Sequence, residues 1–199
     1  MHKEPQGRPE QRRRARASGA GVPPALNEDD RMSNTSVLIL MGSDSDAPVM
    51  QGAVDVLKEF GIACEMTVAS AHRSPERVMR LVREAPGRGV KVFIVGAGAA
   101  AHLAGVVAAH STLPVIGVPI DSSALKGLDA LLSTVQMPPG VPVATVSIGK
   151  PGATNAGVLA AQILGVADAA VARKLDEYKK QLAEKVEAAA VRLGDAAGH

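Results

Sequence analysis

The sequence predicts an α/β protein: a three-layer open parallel sheet of about five strands, covered by helices on both faces and followed by a long C-terminal helix. Five short apolar runs recur along the chain: VLILM (37–41), CEMTVAS (64–70), KVFIVG (91–96), LPVIGVPI (113–120) and VPVATVSI (141–148). The first, third and fourth are apolar on both faces instead of alternating, the pattern of strands buried between two helical layers. Between the runs, the apolar residues change to a helical period, so each strand is followed by a helix that returns the chain to the next parallel strand.

The elements follow in order. After the first run, Val49/Met50, Ala53/Val54, Leu57 and Phe60 recur about every 3.6 residues, with Pro48 suited to the first turn and Gly61 at the C-cap position. After the second, Ser74 is placed to cap a helix, with Pro75 at its first position and Glu76 at the positive end of its dipole. Val78, Leu81, Val82 and Ala85 then mark the buried face, and PGRG ends it. Residues 168–193 read as a charged helix with Val171, Leu175, Tyr178, Leu182, Val186 and Leu193 along one narrow stripe. Such a stripe suits packing on another subunit, the alternative being that the helix docks on its own domain. With only Phe60, Phe93 and Tyr178 as aromatics, the core must be filled by aliphatic side chains.

At 199 residues and 46% hydrophobic, the chain suffices for one domain, expected over residues 36–199 and including the C-terminal helix as an oligomerisation element. Residues 1–35 are rich in Gly, Pro, Arg, Gln and Glu without periodicity, and are expected to form a disordered extension. The first 31 residues hold seven Lys or Arg against five acids, leaving the remainder balanced at 15 each. The folded part is therefore neutral, which argues against a nucleic-acid partner, and RRRAR is read as a solvated tail in preference to a binding or targeting patch. Met32, opening MSNTSVLILMGS, is a candidate native start. The single cysteine, Cys64, leaves no internal disulfide and favours a reducing compartment, and no apolar stretch suggests a membrane span.

Ligands of open parallel sheets bind beyond the carboxyl ends of the strands, where helix N-termini expose N–H groups. Every polar cluster of this chain falls there: GSDSDAP, SAHRSPE, GAGAAAHLAG, PIDSSALKG and GKPGATNAG. Three other readings fit less well. GAGAAA matches a relaxed dinucleotide fingerprint with Asp121 downstream, but lies in the third βα unit and leaves no substrate domain. Asp44 and Asp46 are candidate magnesium ligands or phosphoacceptors, but do not stand directly at the strand end. GKPGATN lacks the spacing that wraps a triphosphate. Ser43 and Asp46 also suit turn and cap positions, Arg73 suits a surface ion pair, and His102 suits a structural histidine. His72 is harder to assign to structure: an imidazole, which titrates near neutrality, stands beside a guanidinium suited to phosphate. The residues alone thus indicate an enzyme for an anionic phosphate ester with a histidine acid/base.

MGSDSD, SAHRSPE, GAGAAAHLAG, VIGVP, VQMPPGVPVATVSIG and NAGVLAAQIL together resemble the PurE family of bacterial N5-carboxyaminoimidazole ribonucleotide mutases, in the same order from Val37 to the C-terminal helix. The resemblance implies a flavodoxin-like fold, a cytoplasmic homo-octamer, a ribonucleotide substrate, no cofactor or metal, and no nucleic-acid or membrane partner. It implies His72 as acid/base, Ser43, Ser45, Ser70 and Arg73 on the phosphate, and Asp46 on the ribose. Gly96, Gly98 and Ala99 would line the ring and carboxylate, with His102 and Leu103 in support. Arg73, where the animal-type carboxylase branch carries Lys, favours the mutase over direct carboxylation with CO2, and a non-catalytic phospho-ligand module is the further alternative. Ala99 and Ala104 depart from the family, which commonly has glycine and proline there, and the N-terminal leader has no counterpart.

Overall fold

The computed structural model describes residues 35–197, so the expected extension (save Thr35) and the Met32 start lie outside the described residues. Five strands, β1 (Val37–Met41), β2 (Cys64–Val68), β3 (Val92–Gly98), β4 (Val115–Ile120) and β5 (Ala144–Thr145), form one all-parallel sheet in the order β2-β1-β3-β4-β5. The helices are α1 (Ala47–Glu59), α2 (Pro75–Glu84), α3 (Leu103–Ala109), α4 (Leu128–Val135), α5 (Gly149–Gly165) and α6 (Ala169–Ala197).

Strand alternation divides the core. Val37, Ile39 and Met41 of β1 point to the face covered by α1, α5 and the start of α6, whereas Leu38 and Leu40 point to the face covered by α2, α3 and α4. All five β1 residues are buried, as their uninterrupted apolar run requires. The α1–α5 contact is close because Gly157 carries no side chain: a Cβ there would stand 3.0 Å from the Ala53 carbonyl oxygen and from Val56. Helix α1 ends as its sequence predicts, with Gly61 in the left-handed region at φ +72°.

Two expectations change. The fifth run makes only two strand residues, although eight were expected. It is an edge strand preceded by Pro138, Pro139 and Pro142, none of which has an N–H to donate, and among the described residues its only strand partner is β4. The C-terminal helix, in turn, divides between its two readings. Val171 is buried, Leu175 and Tyr178 pack on the domain's own core, Tyr178 meets Phe60 edge-on at 5.4 Å, and Lys174 Nζ donates to the Phe60 carbonyl at 2.8 Å. Leu182, Val186 and Leu193 remain exposed. Among the described residues no helix is long and apolar enough to cross a membrane.

The chain passes from β1 outward to β2, then back across to β3, so the loops after β1 and β3 leave in opposite directions. That switch point opens a crevice at the carboxyl edge of the sheet.

Candidate functional site

A cleft of about 290 Å³ occupies this crevice. One rim comes from the loops after β1 and β2, the other from the loops after β3 and β4. A larger hollow of about 440 Å³, between residues 108–115 and 140–144, has no titratable side chain in its lining. Chemistry, not size, distinguishes the two.

The first rim is held by side-chain hydrogen bonds. Ser43 caps a short 3-10 turn, its Oγ accepting from the Ser45 N–H at 3.4 Å and from the Ser45 hydroxyl at 2.8 Å, while it donates to Asp44 Oδ1 at 3.2 Å. Ser70 is buried, and its Oγ accepts from the Arg73 N–H at 3.2 Å and from Nε at 3.5 Å. Arg73 Nη2 reaches across to donate to the Gly42 carbonyl at 2.7 Å, tying the β2 loop to the β1 loop. Ser74 occupies the cap position of α2, but its hydroxyl bonds back to the Ser70 backbone instead of to a helix N–H. The predicted cap thus anchors the loop that lines the cleft.

Asp46 is 5% exposed. Burial pushes its carboxyl above the ordinary value of 3.8, an effect that the Ser43 backbone, the Ser45 hydroxyl and the Arg73 charge only partly offset. A carboxylate kept charged there costs stability, a common sign of a group retained for binding. Asp44, by contrast, is exposed, and among the described residues no three potential metal ligands gather.

The second rim is shaped by backbone. Ala99 sits at φ +51°, a region that costs an L-residue roughly 1–2 kcal/mol, and this is the position where glycine is common in the resembling family. Two successive tight turns follow, the Ala101 N–H donating to the Ala99 carbonyl at 2.8 Å and His102 N–H to Ala100 at 2.7 Å. They lead into α3, where Leu103 and Ala104 are buried. Gly98 borders the cleft beside Ser122 and has no room for a side chain: a Cβ at 98 would lie 1.9 Å from Ser122 Oγ.

His72, from the first rim, and His102, from the second, meet across the cleft. Nε2 of His72 lies 2.7 Å from Nδ1 of His102, with ring centroids 4.9 Å apart and the planes at 80°. One nitrogen must donate and the other accept, so the contact holds one shared proton. His102 therefore takes part in the cleft and is not merely a packed structural histidine.

Of the residues expected at the site, Ser43, Ser45, Asp46, Ser70, His72, Arg73, Gly98, Ala99, His102 and Leu103 all line this one cleft. Gly96 does not. It lies inside β3, where a Cβ would stand 2.5 Å from Met50 Sδ, so its missing side chain serves packing against α1. Ser122 was not singled out from the sequence, although the serine pair in PIDSSALKG after β4 was its signal.

Residues 36–185 match the pattern of the family described as AIR carboxylase. The chain is 55% identical over 155 residues to the N5-carboxyaminoimidazole ribonucleotide mutase of Thermotoga maritima, covering 78% of this chain and 90% of that protein. It is 56% identical to the mutase of Bacillus subtilis, covering 74% and 91%, and 52% identical to that of Mycobacterium tuberculosis, covering 80% and 91%. The crystal structure of Treponema denticola PurE superposes with a TM-score of 0.71 at 31% identity, covering 79% of this chain and 97% of that one.

Proposed function

Because the chain belongs to the AIR carboxylase family, we propose that it catalyses the mutase reaction, converting N5-carboxyaminoimidazole ribonucleotide to 4-carboxy-5-aminoimidazole ribonucleotide. The observation that carries this reading is the convergence of GSDSD, SAHR and GAGAAAHL on one cleft, with the two histidines bonded across it. The family description names a carboxylase. The curated relatives named as mutases, together with Arg73, favour the mutase.

The chemistry balances without an oxidant or an external proton. The N5–C bond of the carbamate breaks, its electron pair stays on nitrogen, and His72 supplies the proton that nitrogen needs, releasing CO2 into the cleft. Ring carbon C4 attacks that CO2 to form the new C–C bond, and His72 takes back the proton that C4 sheds. His72 must therefore be an acid first and a base second. The 2.7 Å contact of its Nε2 with His102 Nδ1 orients the His72 ring for both roles. Arg73, Ser43, Ser45 and Ser70 suit the 5′-phosphate, the guanidinium offering a bidentate fork, and Asp46 suits the ribose hydroxyls. Gly98, Ala99 and Leu103 line the ring end, where shape confines CO2 for recapture.

The enzyme works in the cytoplasm as a homo-oligomer, an octamer by the family resemblance. Residues 36–199 act as its single domain, with Thr35 already buried at its edge. The exposed Leu182, Val186 and Leu193 on α6, and Leu128, Leu132 and Val135 at helical spacing along α4 with Leu125 just before it, support self-association. The decisive assay supplies purified chain with the carbamate substrate, without ATP, metal or bicarbonate. The 4-carboxylated isomer is the expected product. A chain that forms this product only from aminoimidazole ribonucleotide and CO2 is a carboxylase, and one that binds without turnover is a binding module.

A further inference from the structure

We propose that the Ser122 hydroxyl is a further substrate-contacting group, donating a hydrogen bond to the migrating carboxylate and to the CO2 it becomes. The assignment rests on the mutase reading above. Three observations carry it. First, Ser122 lines the cleft from the loop after β4, opposite the phosphate-binding rim. Second, its hydroxyl has no protein partner among the described residues, whereas its neighbour Ser123 accepts from the Leu125 N–H at 3.2 Å and is spent on the turn. The other cleft serines, Ser43, Ser45 and Ser70, are likewise engaged. Third, the glycine at 98 makes room for it, since any larger residue would collide with Ser122 Oγ.

The chemistry favours a carboxylate as its partner. On the β3/β4 rim only His102 and Ser122 offer side-chain hydrogen-bonding groups, and His102 is already bonded to His72. A lysine or arginine there would stabilise the charged carboxylate of the substrate far more than neutral CO2, and so would oppose bond cleavage. A neutral hydroxyl discriminates less between the two. It can hold the departing CO2 beside C4 at a smaller cost to its formation than a cation would impose.

Ser122→Ala removes the hydroxyl and leaves the backbone and Cβ in place. The expected result is a loss of about tenfold in kcat/KM for the carbamate substrate. More of the reaction should end as free aminoimidazole ribonucleotide, because CO2 escapes before C4 captures it. Affinity for aminoimidazole ribonucleotide, which lacks the carboxylate, and the melting temperature should both stay at the parent's values. Unchanged kcat/KM and product partition would overturn the assignment, as would equal weakening of both ligands, which would put the hydroxyl on the ribose or phosphate. A parent chain that fails to isomerise the carbamate at all would instead overturn the mutase reading, and the assignment with it.

Discussion

The two rims of the cleft are built on different principles. Around β1 and β2, polar side chains hold one another: Ser43 with Ser45, Ser70 with Arg73 and Ser74, and Arg73 with the Gly42 carbonyl. Around β3 and β4 the shape comes from backbone, through the positive φ of Ala99, two tight turns and the missing side chain of Gly98. The contrast suits two ends of one substrate. A phosphate is gripped by charge and many donors, so a preorganised polar network serves it. Confining CO2 instead needs close walls and few competing hydrogen bonds. The histidine pair is the one side-chain hydrogen bond between the two rims among the described residues.

Breaking that bridge should have the largest effect. His72→Asn is expected to lower kcat by roughly 10²–10⁴-fold while ligand affinity, read by calorimetry, stays near the parent's. Turnover at the parent's rate would remove His72 from the proton transfers. On the polar rim, Arg73→Ala should weaken binding of the phosphorylated ligand by about ten- to a hundredfold, from loss of a charge-assisted hydrogen bond. The same variant should have much less effect on a dephosphorylated analogue, and equal loss with both would refute the phosphate role.

Asp46 tests the same rim through pH. Its folded carboxyl lies above the ordinary 3.8, so the fold binds this proton more tightly than the unfolded chain does. The resulting stability is fully present below the unfolded value and is lost as pH rises through the folded one. Asp46→Asn should therefore be more stable than the parent at neutral pH, with the two denaturation curves converging in acid, while the variant binds substrate a few-fold less well. A gap that widens in acid would reverse the sign and contradict the burial argument. The smallest effect belongs to the backbone rim. Ala99→Gly should relieve the left-handed strain, partly offset by greater unfolded-chain entropy, for a net gain of about 0.5–1 kcal/mol and roughly 1–4 °C in melting temperature. A fall in melting temperature would show that Ala99 is not strained.

Much of the polar rim was legible before the structure. His72 and Arg73 stand out because a helix start needs only a cap and a proline, and SAHRSPE holds more polar groups than that, whereas Ser43 and Asp46 of GSDSDAP also suit turn and cap positions. The backbone rim was less legible, because glycines and alanines do not say what lies beside them. Gly96 and Gly98 look alike in GAGAAA and, two residues apart, share one face of β3. The first nevertheless falls beneath Met50 of α1, and the second, at the strand's end, beside Ser122. The two serines of PIDSS are likewise indistinguishable until the turn claims Ser123.

By itself, the sequence determined the strand and helix order, the parallel sheet and the edge along which chemistry gathers. Hydrophobic periodicity and capping residues act over a few positions, and local order follows from them. Only tertiary structure decided that His72 and His102, 30 residues apart, share one hydrogen bond, that Ser122 enters the cleft, and that α6 is half docked and half exposed. Those facts depend on which strands are neighbours and how closely their loops approach, and strand order is set by the packing of the whole sheet, which no local run of residues encodes.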